Sequence, residues 1–302
     1  MKYFTLIKLI VLVLVLTSCE EEIPWDTQDV EDVLVVEGAF TNEYKHHRLV
    51  LTKTADYFSD RKTPAVTGAD VYLTSGNDTV TYLENQDTLG VYETENKVSG
   101  VVGNNYKLHI HLQRPIRGET YYYASEEMIN GISLNNFNAS VYRNPLYQEG
   151  SNMDMDSLML VTTLYGDEPQ DIRNYYMVKL NEYFEKKEDT ITNVAIYPDD
   201  QEFEGDYVNS LYFYEAYNPG DTIQIEISTV SKQYYDFVDG VKKLATQDQD
   251  QFFDMSGPPA NAEGNIQGAE ALGYFRVSKV TKATTIAIDS RDEKNDHFPK
   301  KN

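Results

Sequence analysis

The chain has 302 residues, 41% hydrophobic and 25% charged, which is enough for two ordinary domains or one large one. Its formal charge of -23 at pH 7 disfavours nucleic acid and anionic headgroups as binding partners. Its single cysteine excludes an internal disulfide framework.

Residues 1–18 read as a lipoprotein signal peptide. Lys2 and Lys8 give a positive start, Ile10 to Leu16 is an unbroken aliphatic run, and the small residues Thr17 and Ser18 follow. The run is too short and wrongly flanked for a spanning helix. Leu16-Thr17-Ser18-Cys19 resembles a bacterial lipobox. That resemblance implies a diacylglyceryl group on the Cys19 sulfur, cleavage before it, and a palmitate-class chain on the new amino group. Several acyl chains anchor durably where one does not. The competing reading is a plain secreted protein with an incidental cysteine. Glu20, Glu21 and Glu22 come next, in an acidic tether over 19–32 that holds Pro24 and Trp25. As a bland feature they are a solvated linker. An acidic run after a lipidated cysteine also resembles the surface-export signal of Bacteroidota lipoproteins, which implies the outer face of the outer membrane.

From Val33 the pattern changes to short β-type runs between turn residues. Strands are expected over 33–40, 47–55, 69–74, 78–85, 90–95, 103–113 and 119–128. The sixth alternates Tyr106, Leu108, Ile110 and Leu112 on one face with Lys107, His109, His111 and Gln113 on the other. Seven such strands suggest an antiparallel sandwich over 33–128 of the immunoglobulin or transthyretin sort. "GADVYL", "LGVYET" and "GNNYKLHIHL" resemble prealbumin-like modules, with glycines suited to turns and Tyr or Leu suited to the inner face.

A second β-rich domain is expected over 129–288, with strands over 156–167, 173–185, 189–198, 210–218 and 221–230. Over 231–247 the period lengthens: Tyr234, Tyr235, Phe237, Val238, Val241 and Leu244 recur at helical steps, with Ser231 as the cap. "SGPPANAEGNIQG" (256–268) reads as a long loop, 271–288 as a final strand or hairpin, and 289–302 as a polar tail. The fold class is therefore mainly β, an N-terminal β-sandwich followed by a β-rich domain carrying one α-helix.

The ordered set of lipobox, "LVVEGAF", "PAVTGADVYL", "GVYE", "GNNYKLHI", "QYYDF" and "PPANAEGNIQGAEALGYFRV" resembles the Bacteroidota outer-membrane lipoprotein family catalogued as domain of unknown function 4249, over roughly 19–288. Glu270-Ala271 departs from the pattern, which implies glycine there. The resemblance implies no catalytic residues. It implies a companion of TonB-dependent outer-membrane receptors, in nutrient capture or envelope assembly.

The residues themselves add little chemistry. His109 and His111 share one strand face, but zinc needs a third and usually a fourth ligand, and two polar-face histidines are the ordinary explanation. Asp154 and Asp156, and Asp199, Asp200, Glu202, Glu204 and Asp206, form acidic loops without the spacing of a calcium loop. There is no nucleophile elbow, phosphate loop or HExxH motif. Tyrosine clusters at 121–123, 175–176, 212–217 and 234–235 are mostly strand propensity and core, with an exposed subset expected. The expected function is a non-catalytic binding or accessory subunit without metal or cofactor. It is held by acylated Cys19 and partnered by a receptor barrel and by a glycan or peptide. The alternatives are a surface glycan- or peptide-degrading enzyme, which would need convergent carboxylates in a cleft, and a structural or adhesive envelope protein.

Overall fold

A computed structural model describes residues 32–54, 63–144, 158–167, 169, 174–182, 193–197, 206–213, 217–250 and 262–292. Cys19, the three glutamates after it, Trp25, and the acidic residues at 154–156 and 199–204 lie outside the described residues. Asp32–Asn302 form one compact unit.

The first seven strands occur in the expected order. They are β1 (Leu34–Thr41), β2 (Arg48–Lys53), β3 (Asp70–Ser75), β4 (Asp78–Glu84), β5 (Val91–Thr94), β6 (Asn105–Ile116) and β7 (Glu119–Glu127). The chain continues through β8 (Ser133–Arg143), β9 (Leu158–Asp167), β10 (Tyr175–Glu182), β11 (Asn193–Tyr197), β12 (Asp206–Phe213) and β13 (Thr222–Val230). Helix α1 (Lys232–Asp250), β14 (Ala271–Ser278), β15 (Val280–Ile286) and β16 (Ile288–Asp289) complete it.

Hydrogen bonding joins β1 to β7 in one sheet, and β14 is added at its edge, in the order β14-β1-β2-β5-β4-β3-β6-β7. Alternation sends Val36, Leu49, Leu51, Leu73, Leu108, Ile110 and Tyr122 to one side, where they are fully or nearly fully buried with Phe40 and Phe275. Each such side chain contributes about 1.5–3 kcal/mol by leaving water. Because β14 pairs parallel with β1, from Leu34↔Ala271 to Thr41↔Ser278, the first sheet takes a strand from the far end of the chain. The expected unit 33–128 is thus completed by residues beyond it. Nor do β14 and β15 form a hairpin, since β15 pairs with β13 in another sheet.

The sheet nearly closes on itself. Between its outer strands runs the segment 262–270. Gln267 exchanges two backbone hydrogen bonds with Tyr123 of β7, at 3.0 and 2.7 Å. On the other side the buried Asn265 amide donates to the Phe275 carbonyl (2.8 Å) and accepts from its N–H (2.9 Å), as a neighbouring strand would. The close approach requires glycine at 273: its φ is +88°, and a Cβ there would stand 2.0 Å from the Val36 carbonyl oxygen. Glu270, the departure from the family pattern, pairs with Arg117 at 3.2 Å. The stretch read as a long loop therefore includes the closing piece of the sheet.

Glu126 of β7 completes the closure. Its carboxylate is 8% exposed and accepts from Val277 N–H (2.7 Å) and Tyr274 O–H (3.0 Å), both on β14. The third donor is the hydroxyl of Ser231. That hydroxyl also accepts from Tyr234 N–H at 3.1 Å, so Ser231 is the helix cap expected from sequence. One carboxylate thus ties β7, β14 and the start of α1. The helix lays Tyr234 and Tyr235 against Tyr175, Met177 and Val230, and Tyr234 meets Tyr274 edge-on at 5.0 Å.

Strands β8 to β13, β15 and β16 form two four-stranded sheets, β11-β10-β13-β15 and β12-β9-β8-β16. They share a core of Phe137, Val141, Leu160, Leu164, Val178, Leu180, Ile223, Ile225 and Ile227. Strand β8 is absent from the sequence expectation. Its inward residues Phe137, Ala139 and Val141 alternate with Asn136, Asn138 and Ser140, and β16 adds to its edge in parallel. The two bodies meet at Asn42, whose amide binds both the carbonyl (3.2 Å) and the N–H (2.6 Å) of Val280.

Two contrasts between substitutions follow from these polar contacts. Glu126→Ala leaves buried donors without an acceptor and is expected to cost about 3–5 kcal/mol, against about 1 kcal/mol for Glu126→Gln, whose amide oxygen can still accept. Equal urea midpoints for the two variants would contradict the role given to Glu126. Tyr92 and Tyr82 provide a second contrast. The Tyr92 hydroxyl donates to Val66 C=O and accepts from Ala69 N–H, both at 3.0 Å, whereas the buried Tyr82 hydroxyl has no hydrogen-bond partner among the described residues. Tyr92→Phe is expected to cost about 1–2 kcal/mol, and Tyr82→Phe to be neutral or stabilising by about 0.5 kcal/mol. Thermal melting of the pair reads the difference.

Candidate functional site

Two surface features gather side chains with binding chemistry. The first is a cleft of about 470 Å³ where the outer side of β1 faces β10 and β13. Ala39, Thr41, Glu43, Lys45, His46, His47, Arg48, Lys179, Glu226 and Arg276 line it. Register explains the convergence. Ala39 stands beside Arg276 in the parallel β1–β14 pair, while Lys179, Glu226 and Lys282 face one another in a row across β10, β13 and β15.

That row continues into the β1–β2 turn as an alternating ion chain. Lys282 Nζ lies 2.9 Å from Glu226 and 2.7 Å from Glu43, and Lys45 Nζ lies 2.5 Å from Glu43. Burial alone would push the Glu43 carboxyl up. Hydrogen bonds and charge from Lys282 and Lys45 outweigh it and hold the pKa at about 2. Lys179 is shifted down, first by burial and then by Arg276, with Glu226 opposing. His47 is buried and shifted down, chiefly by burial. Its Nε2–H donates to Val98 C=O (3.0 Å) and its Nδ1 accepts from Thr41 N–H (3.4 Å), which fixes the neutral tautomer. It braces the cleft wall.

The second feature is an aromatic ladder on the outer side of β3, β6 and β7. Tyr72 stacks on His109 with ring centres 4.6 Å apart, His111 on Tyr121 at 4.6 Å, and Tyr121 on Tyr123 at 5.6 Å. Lys107 Nζ sits 4.4 Å over the Tyr123 ring. The strand alternation expected from sequence puts these residues on one face. Of the two histidines of the ladder, His111 is exposed and His109 half-buried. Both nitrogens of His109 are used, Nδ1 with Tyr121 Oη (2.8 Å) and Nε2 with Thr74 Oγ1 (3.1 Å). Hydrogen-bonded in this way, His109 is a strut of the ladder. Among the described residues no group of three or more His, Cys, Asp or Glu could hold a metal ion.

Sequence reasoning found the ladder's histidines and tyrosines but missed the cleft entirely. Lys45, Lys179, Glu226, Arg276 and Lys282 are scattered over the chain and carry no motif. Only Lys179 and Arg276, polar residues inside otherwise apolar strand runs, were a local signal.

The ion chain has a pH signature. The folded pKa of Glu43 lies below its ordinary 4.5, so its contribution to stability is fully present above that value and is lost as pH falls towards about 2. The melting temperature of the wild type is expected to exceed that of Glu43→Gln at pH 5, with the gap closing as the pH is lowered towards 2. A gap independent of pH would show that the chain contributes nothing through charge.

Comparison with curated proteins finds no match. A family model described as Domain of unknown function (DUF4249) matches residues 20–284, which spans β1 to β14, the helix and most of β15. The match includes the closing segment, the cleft and the ladder, and the chain belongs to that family.

Proposed function

We propose that this protein is a non-catalytic lipoprotein of the bacterial cell surface. It is anchored in the outer leaflet of the outer membrane through acylated Cys19, and it serves as an accessory or binding subunit of a TonB-dependent transporter or a similar barrel. The observation that carries the reading is the run Leu16-Thr17-Ser18-Cys19, directly ahead of the family match, followed at once by Glu20, Glu21 and Glu22, with which the match begins. The kinship of β3 to β6 with prealbumin-type modules, a scaffold for binding, belongs to the same reading.

The cleft favours binding over acid–base catalysis. Its carboxylates Glu43 and Glu226 are both bound to Lys282, and Glu43 is held at about 2, opposite to the raised pKa a general acid requires. The ladder presents the edges of rings already stacked on one another, with Lys107 beside them, as polar groups to which a sugar or a peptide can hydrogen-bond.

Affinity purification of the tagged chain from detergent-solubilised outer membranes is expected to bring down a barrel protein in near-equal amount, and metabolic palmitate labelling to disappear in Cys19→Ala. Absence of a barrel at comparable stoichiometry would remove the accessory role. Label retained in Cys19→Ala would remove the anchor.

A further inference from the structure

The ion chain in the cleft leaves some cations over. Glu43 and Glu226 are both engaged by Lys282, and Glu43 by Lys45 as well. Arg276 and Lys179 have no carboxylate within ion-pair distance among the described residues, and neither does Arg48.

Arg276 is the telling one. It is 7% exposed, on the central run of β14, and it lines the cleft. Its Nη1 donates to Ser278 Oγ at 3.1 Å, and its guanidinium lies 5.5 Å from the centre of the Tyr234 ring. These contacts hold the group in place and use one of its five donors. A cation this deeply buried is costly without a directly paired counter-charge; Glu126 lies within electrostatic reach of Arg276, but its carboxylate already accepts three hydrogen bonds from other donors. Lys179, half-buried, approaches from β10 with no side-chain hydrogen bond among the described residues, since its cross-strand neighbour Glu226 turns to Lys282. Two cations from two different sheets thus converge on one void, and the local carboxylates are occupied elsewhere.

We propose that this cleft is a binding site for a small oxyanion, a phosphate or carboxylate group, held by Arg276 and Lys179 with Arg48 adding charge at the same cleft. A guanidinium fork pairs with two oxygens of either group, and an ammonium binds a third oxygen as a point charge. A volume of about 470 Å³ has room for a phosphate ester or a tricarboxylate. The acidic surface makes such a site selective by position: long-range repulsion excludes polyanions, while a small anion that reaches the cleft meets a positive interior. The site depends on neither the membrane anchor nor a barrel partner, so it stands or falls separately from them.

Calorimetric titration of the purified full chain in detergent with inorganic phosphate, and in parallel with citrate, tests the assignment. Saturable binding of at least one of them is expected, weaker at high ionic strength, and weakened about tenfold in Lys179→Gln and less in Lys179→Arg. Melting curves of the variants without ligand should match the wild type, which separates loss of binding from loss of fold. Binding of phosphate alone or citrate alone identifies the group recognised. No saturable binding of either anion would overturn the proposal, as would unchanged affinity in Lys179→Gln.

Discussion

A carboxylate taken out of water must recover its hydration from the protein, and Glu126 of β7 does so from three donors, two on β14 and one at the cap of α1. Burial drives its pKa up, and the hydrogen bonds from Ser231, Val277 and Tyr274 pull against that shift. All three donors are satisfied only when the edge strand β7, the late strand β14 and the helix cap come together. Apolar packing alone would tolerate small slippages of β14 along β1. The fixed reach of one carboxylate does not, because Val277 N–H must come within 2.7 Å of it. Register along β14 in turn sets Arg276 beside Ala39 and so fixes the floor of the cleft.

Asparagine side chains repeat this logic in neutral form. Asn265 and Asn42 each bind both backbone groups of a single residue, Phe275 and Val280 respectively, on the outer edge of strands β14 and β15, where no further strand pairs. The amide supplies a donor and an acceptor at the spacing of a peptide group, so a strand can end or turn without leaving buried backbone unpaired. Asn265 works inside the first sheet, and Asn42 fastens that sheet to the start of β15. The cleft is bounded by elements locked in both ways, which is why its lysines and glutamates can form a continuous ion chain across a junction between sheets.

The strands of the first half were legible because each one alternates, as Tyr106 to Leu112 shows, and because turn residues separate them. The helix was legible from its change of period and from Ser231. What could not be read was pairing between residues far apart in the chain. Nothing near Leu34 points to Ala271, and Gly273 advertises a tight approach without naming Val36 as the group approached. Strand β8 was hidden because asparagines alternate with only a few apolar residues, a pattern that reads as loop until β9 and β16 are seen on either side. The closing segment was hidden by composition: proline, glycine and asparagine serve a loop, yet Asn265 and Gln267 do a strand's work. The ladder lay within reach of sequence, since it follows from alternation in three adjacent strands. The cleft did not, since it is made by the contact of two sheets.

The parallel partnership of β1 with β14 also sets an order of events. The first strand to leave the ribosome, or to emerge on the far side of a membrane, meets its outer neighbour only when residues 271–278 are available. Until then the apolar faces of Leu34, Val36 and Phe40 have one covered side at most, and the closing contacts are spread over more than two hundred residues. Such long-range closure makes folding slow, because the entropy of a very large loop is lost before the pairing is gained. A chain built this way lacks the outer partner of its first strand through most of its synthesis, and its first sheet is completed only when residues 271–278 are available.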